Sequence, residues 1–203
     1  MGYIQVLEID TGRGLVYAVR EDHRGGGEPV NTLVAIPLDG SAARDDAPVR
    51  TLVRGTDFVT SPVLSPDGEH LAWITWDHPG MPWDEAVLHV GDLLADGTIG
   101  EQAAVDGGDG HSVGEPRWTE ECELVHVSNA SGFWNLYRTE GFPRRGTNRE
   151  DWTGGLRTRI RERQLLSEYG ILGYLGPDFV KGFERWRPDM EVYNIEFLFK
   201  RIV

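Results

Sequence analysis

The feature that most constrains the fold is a strand–turn–strand unit that occurs three times. The fullest copy lies within 61–93. A leading strand over 61–64 runs into the turn Ser65-Pro66-Asp67-Gly68, and the apolar strand Leu71-Ala72-Trp73-Ile74-Thr75-Trp76 follows. A loop rich in Pro, Gly and Trp then leads to a strand over 86–90 and a second turn at Asp96-Gly97. Pro presets φ for such a turn, Asp bonds its own backbone, and Gly takes the positive φ.

Two weaker copies flank it. Leu7-Glu8-Ile9-Asp10-Thr11-Gly12-Arg13 precedes Leu15-Val16-Tyr17-Ala18-Val19, and Pro116-Arg117-Trp118-Thr119-Glu120-Glu121 precedes Leu124-Val125-His126-Val127-Ser128. Each is followed by a loop and a third strand, over 31–38, 86–93 and 133–139. The first two copies close with a fourth, over 49–53 and 99–105. Leu15 and Leu71 are 56 positions apart, and Leu71 and Leu124 are 53 apart. That period exceeds the roughly 40–50 residues of common propeller blades, so each unit carries an enlarged loop. Short Val-, Ile- and aromatic-rich strands punctuated by Asp-Gly turns indicate four-stranded antiparallel blades. A β-sandwich is the competing arrangement, and the repetition favours the propeller.

The expected fold is therefore mostly β: a partial β-propeller of about three four-stranded antiparallel blades, over 1–56, 57–106 and 107–140, with a mixed α/β C-terminal segment. A change in charge marks that last boundary. Residues 1–140 hold eight arginines, no lysine and 24 acids, net −16, whereas 141–203 carry a net +3. The acidic body disfavours nucleic acid as a partner, because phosphate binding depends on basic side chains. No apolar run approaches the ~18 residues of a membrane span. The first residues lack a basic stretch followed by an apolar one, and Val6 stands where a myristoylation signal would place Ser or Thr. With one cysteine, Cys122, no internal disulfide framework is expected, and the cytoplasm is the default location.

Residues 141–203 open with the linker Gly141-Phe142-Pro143-Arg144-Arg145-Gly146-Thr147-Asn148. Leu156, Ile160, Leu165, Leu166 and Tyr169 suggest a helix over 156–169, although Arg157, Arg159, Arg161 and Arg163 alternate as in a strand. Residues 192–199 read as a closing strand.

Gly110-His111-Ser112-Val113-Gly114 matches the G-x-S-x-G nucleophile elbow, but the context argues against it. The residues 106–109 read as a loop, Pro116 blocks a following helix, and no histidine lies beyond His126 to complete the order Ser, acid, His. Catalytic residues are thus expected to be none. His23-Arg24-Gly25-Gly26-Gly27 echoes an oxyanion-hole loop faintly and reads as a flexible connection. No phosphate-binding glycine motif occurs, so no nucleotide cofactor is expected. The six histidines show no zinc spacing, and Asp106-Gly107-Gly108-Asp109-Gly110 reads as a solvated turn rather than a Ca²⁺ loop, so no metal is expected. His89 and His126 read as packed or rim residues. Trp76, His78, Met81 and Trp83 share one long loop, either as a lip where peptides enter or as a lid over their own blade.

Several of these stretches carry a family resemblance. Val19-Arg20-Glu21-Asp22-His23, Leu64-Ser65-Pro66-Asp67-Gly68, Leu71-Ala72-Trp73-Ile74 and Ser131-Gly132-Phe133-Trp134-Asn135-Leu136-Tyr137 resemble the propeller of the prolyl oligopeptidase family of serine peptidases. Trp76-Asp77-His78-Pro79-Gly80-Met81-Pro82-Trp83-Asp84 is the most specific match, and the acylaminoacyl-peptidase and dipeptidyl-aminopeptidase branch is the most similar. The Ser-Pro-Asp-Gly turn alone is shared with TolB-like propellers. The resemblance covers about 1–140 and does not extend to 141–203. It implies a non-catalytic, substrate-gating propeller portion without its α/β-hydrolase domain, whose partners are peptides or that domain. Open blade edges also imply self-association. An alternative is an interaction module whose basic tail completes the propeller and docks a partner through the arginine run 157–163. A self-contained hydrolase using Ser112 is the weakest of the three readings.

Overall fold

The computed structural model describes residues 2–25, 27–43, 48–132, 134–142 and 157–160, with the side chains of 2–6 and 157–160 outside that description. Among the described residues, twelve strands in chain order make three sheets of four. Sheet 1 contains β1 (Gly2–Asp10), β2 (Leu15–Asp22), β3 (Val30–Pro37) and β4 (Arg50–Val53). Sheet 2 contains β5 (Phe58–Leu64), β6 (His70–Trp76), β7 (Val87–Leu93) and β8 (Ile99–Gly107). Sheet 3 contains β9 (Val113–Trp118), β10 (Leu124–Ser128), β11 (Asn135–Glu140) and β12 (Arg157–Ile160). Within each sheet the strands follow chain order and every pairing is antiparallel.

The repeated turns join the first two strands of each sheet by the same chemistry. An oxygen-bearing side chain at the turn's start takes up backbone N–H groups that the ladder leaves unpaired. Asp10 accepts from Arg13 N at 2.9 Å, Ser65 Oγ accepts from His70 N at 2.9 Å, and Thr119 Oγ1 accepts from Glu123 N at 3.3 Å. Pro62 is accommodated in β5 because the pairing with β6 slips between Thr60 and Val63.

Stacking the sheets face to face buries the core in two layers. Leu15, Tyr17, Val19, Leu33 and Ala35 of sheet 1 pack on Val59, Leu71, Trp73 and Leu93 of sheet 2. The opposite face of sheet 2, with Ala72, Ile74, Leu88 and Val90, packs on Val113 and Leu124 of sheet 3. Period-two alternation explains the division, since odd and even residues of β6 serve different neighbours. At the Asp96-Gly97 turn, Gly97 has φ +80°, and an added Cβ would lie 2.2 Å from Leu15 Cδ1. Only glycine lets this turn of sheet 2 close on sheet 1.

One expectation needs correction. Residues 157–160 are not helical: Arg157 to Ile160 pair with Glu140 to Tyr137 as β12. The alternating arginines, not the leucine spacing, report the backbone here, because a strand places successive side chains on opposite faces. Sheet 3 thereby gains its fourth strand from beyond residue 140. The rest of the expected helix and the closing strand over 192–199 lie outside the described residues. Among the described residues no helix is long and apolar enough to cross a membrane.

Candidate functional site

The antiparallel meander sends the connections that follow β2, β4, β6, β8 and β10, the long loop 77–86 among them, to one end of the three sheets. The tight turns beginning at Asp10, Ser65 and Thr119 gather at the other. The long loop 77–86 is anchored at several points. Asp77 Oδ1 accepts from Thr56 Oγ1 at 2.9 Å and from Asp57 N at 2.6 Å, while Asp57 Oδ2 accepts from His78 N at 2.8 Å. This reciprocal pair ties the loop to the chain entering sheet 2. Asp84 Oδ2 accepts from Met81 N at 3.2 Å, and the Met81 carbonyl accepts from Asp84 N at 2.9 Å, closing a local turn.

The four lip residues divide into two pairs. Trp76 stacks on Phe58, with centroids 5.0 Å apart and planes 11° from parallel, and joins the core between sheets 2 and 3. His78 meets the edge of the same ring at 5.0 Å. Trp76 packs against its own blade, whereas His78 only touches the Phe58 ring and is otherwise exposed. Met81 and Trp83 stay 41% and 57% exposed at the loop's tip. The structure thus brings Trp76 and His78 together around Phe58 and leaves Met81 and Trp83 presented to solvent.

Ser112 is fully buried beside this loop. Its Oγ donates to the Pro82 carbonyl, its N–H donates to Asn129 Oδ1 at 2.7 Å, and its carbonyl accepts from Asn129 N at 3.1 Å. The residues before it are not wholly a loop, as the sequence suggests: β8 reaches Gly107, and Gly108 to His111 form the tight turn. After Ser112 comes the antiparallel strand β9 rather than a helix. The hydroxyl fastens sheet 3 to the lip loop.

Asp106, at the end of β8, draws in two histidines. Its Oδ2 accepts from His126 Nε2 at 2.7 Å, and its Oδ1 lies 3.1 Å from His111 Nε2 and accepts from Gly107 N at 2.9 Å. His126 is fully buried and stacks on Tyr137. Burial alone raises the Asp106 carboxyl, but the bonds from His126, His111 and Gly107 outweigh it and hold the group well below the usual carboxylate range. His89 Nε2 meets Thr75 Oγ1 at 2.8 Å and its ring stacks on Trp73, and burial lowers its pKa to about 4. Of the two histidines expected to be packed or at the rim, His126 is fully buried and His89 is half-buried against Trp73. Sequence reasoning missed the Asp106 cluster; the signal was a histidine, His126, alternating with apolar neighbours opposite an Asp-Gly-Gly turn.

At the opposite end, a cavity of about 350 Å³ lies between the turns at Asp67 and Cys122, lined also by Glu69, Glu123, Glu140 and Phe142. Burial raises the Cys122 thiol, with the Asp67 and Glu69 carboxylates adding to the rise. The His23 loop is held by local pairs, His23 with Glu21 at 3.2 Å and Arg24 with Asp22 at 2.5 Å. Among the described residues no three His, Cys, Asp or Glu side chains converge on a position that could hold a metal ion.

Three four-stranded meanders stacked face to face define the class of this chain: a portion of a β-propeller. Known solved structures give that class a family. The chain is similar to a puromycin hydrolase mutant complexed with PGG (34% identity, TM-score 0.65, covering 68% of this chain and 22% of that one). It is likewise similar to puromycin hydrolase itself (34%, TM-score 0.64, covering 68% and 21%) and to a puromycin-hydrolyzing peptidase of Mycobacterium tuberculosis (35%, TM-score 0.61, covering 68% and 22%). Puromycin hydrolase is a prolyl oligopeptidase family peptidase, so the resemblance read from residues 1–140 is borne out as one to a propeller portion of that family. The chain spans about a fifth of the length of the solved proteins it matches. No protein-family profile and no curated protein matches it.

Proposed function

We propose that these blades act as a substrate-gating portion of a prolyl oligopeptidase-type peptidase, with the loop 77–86 as a lip that meets extended peptides. The observation that carries this reading is the contrast within the loop. Its base is fixed by the Asp57–Asp77 pair and the backbone of its tip by Ser112 on the Pro82 carbonyl, yet the flanking side chains of Trp83 and Met81 stay 57% and 41% exposed. Large apolar side chains held outward on a pinned loop lose little entropy when a ligand covers them. A peptide bond would be cut by a hydrolase domain, not by Ser112, whose proton is committed to a carbonyl.

A photo-crosslinking residue replacing Trp83 tests the reading. Crosslinks to an unstructured peptide but not to a folded small protein are expected. Equal crosslinking to both, or none to the peptide, overturns it.

A second reading is supported by β12. Because Arg157–Ile160 extends sheet 3, these four residues of the basic segment belong to a blade, and Arg159 lies opposite Arg138 in the register. In that reading the completed edge docks a partner protein. Removing 141–203 separates the two readings: the gating reading expects the sheet signal of 1–140 to persist, and the docking reading expects it to be lost.

A further inference from the structure

We propose that the lip selects cationic peptides, namely extended segments with a lysine or arginine next to an apolar side chain. This inference rests on the reading of the loop 77–86 as a peptide-contacting lip and adds the charge that the lip prefers.

Charge is one-sided in this part of the chain. Between Arg54 and Arg117 the chain contains no lysine or arginine and twelve acids; Asp67, Glu69 and Asp96 stand at the opposite end of the sheets, and four others gather at the lip. All of sheet 2 and the whole of the lip loop lie within it. Asp57, Asp77, Asp84 and Glu85 sit on the loop or against it. The recorded partners of the three aspartates are N–H and hydroxyl groups, and none of the four carboxylates forms an ion pair among the described residues. Their negative charge is therefore organised but not neutralised. A cation approaching the tip gains from the summed field of these groups.

The tip supplies the complementary chemistry. The exposed indole of Trp83 attracts an ammonium or guanidinium over its ring face. The Met81 thioether beside it in sequence offers a polarizable, adaptable apolar contact. A peptide carrying positive charge beside an apolar side chain satisfies both, and an acidic peptide meets like-charge repulsion at the same place.

The test titrates the full chain with three unstructured peptides identical except for one central residue, Lys, Ala or Glu, at low and at high salt. The lysine peptide is expected to bind about three- to thirtyfold tighter than the alanine one, with the glutamate peptide weakest and the spread shrinking in salt. Trp83→Ala and, separately, Glu85→Gln are expected to reduce the lysine preference. Both residues are exposed, and near-UV circular dichroism confirms that the variants keep their packing. Equal affinity for the lysine and alanine peptides, weakened alike by Trp83→Ala, overturns the charge selection while the lip reading stands. Peptide binding indifferent to Trp83→Ala, or no binding at all, overturns the lip reading and this inference with it. Lysine-specific binding that survives Trp83→Ala places the cation elsewhere, such as the acidic cavity at the opposite end, and also overturns the proposal.

Discussion

Asp106 and His126 meet across the seam between sheets 2 and 3, with His126 Nε2 donating to Asp106 Oδ2 at 2.7 Å. Nε2 carries a proton facing the carboxylate, and Nδ1 of the same ring is buried with no hydrogen-bond partner among the described residues. One carboxylate thus organises the end of β8, the turn at His111 and the centre of β10. Asp106→Asn is expected to cost about 1.5–3 kcal/mol in a denaturation experiment, the usual range for a hydrogen bond to a charged group. The folded-state pKa of Asp106 is depressed, so its stabilisation is fully present above the ordinary carboxylate range and declines as pH falls below it. Acid titration of stability should be flatter in the Asn variant at the low end.

His89 works on a different window. Its pKa falls from 6.5 to about 4 in the folded chain, because burial against Trp73 disfavours the charged ring. The unfolded chain therefore binds the extra proton first as pH drops. Stability from keeping this ring neutral is complete above about 6.5, declines between about 6.5 and 4, and is gone below that. The change should amount to roughly 2–3 kcal/mol. His89→Gln, which keeps a donor or acceptor for Thr75, is expected to flatten stability across that interval in urea titrations at several pH values.

Ser112 is expected to behave as a fastener. A fluorophosphonate probe should leave it unlabelled in the folded chain. Ser112→Ala removes the donor to the Pro82 carbonyl and should cost about 1 kcal/mol. The same variant should speed proteolytic cleavage within 77–86 more than cleavage elsewhere. Labelling of Ser112 contradicts this role.

Gly97→Ala combines a left-handed backbone position with a Cβ placed 2.2 Å from Leu15 Cδ1. The expected loss is about 2–3 kcal/mol, read as a lower urea midpoint. Gly25→Ala, in open space and at no positive φ, serves as the comparison and should change stability little.

The three blades were legible in the sequence because each turn carries its own chemistry and each strand its own alternation. Asp10, Ser65 and Thr119 announce their turns locally, and Leu71 to Trp76 alternate between two layers that both need apolar side chains. β12 was harder, since Leu156, Ile160 and the alternating arginines satisfy helical and extended spacing together; only the ladder with β11 decides. The contacts that fix the candidate site join residues far apart in the chain. Asp57 and Asp77 are 20 positions apart, as are Asp106 and His126, and 30 separate Ser112 from Pro82. No local pattern encodes such pairs. The lip residues could be named from the sequence, but that Trp76 stacks on Phe58 while His78, Met81 and Trp83 stay exposed depends on where β5 places the Phe58 ring.

The central claim is that the tip of the loop 77–86, rather than the blade beneath it, meets peptides. Fluorine NMR of the full chain carrying 5-fluorotryptophan tests it most directly, with resonances assigned by single Trp→Phe substitutions. On addition of an unstructured lysine-containing peptide, the Trp83 resonance should shift while those of buried Trp73 and half-buried Trp118 hold still. A shift at Trp73 or Trp118 with Trp83 unmoved would contradict the account.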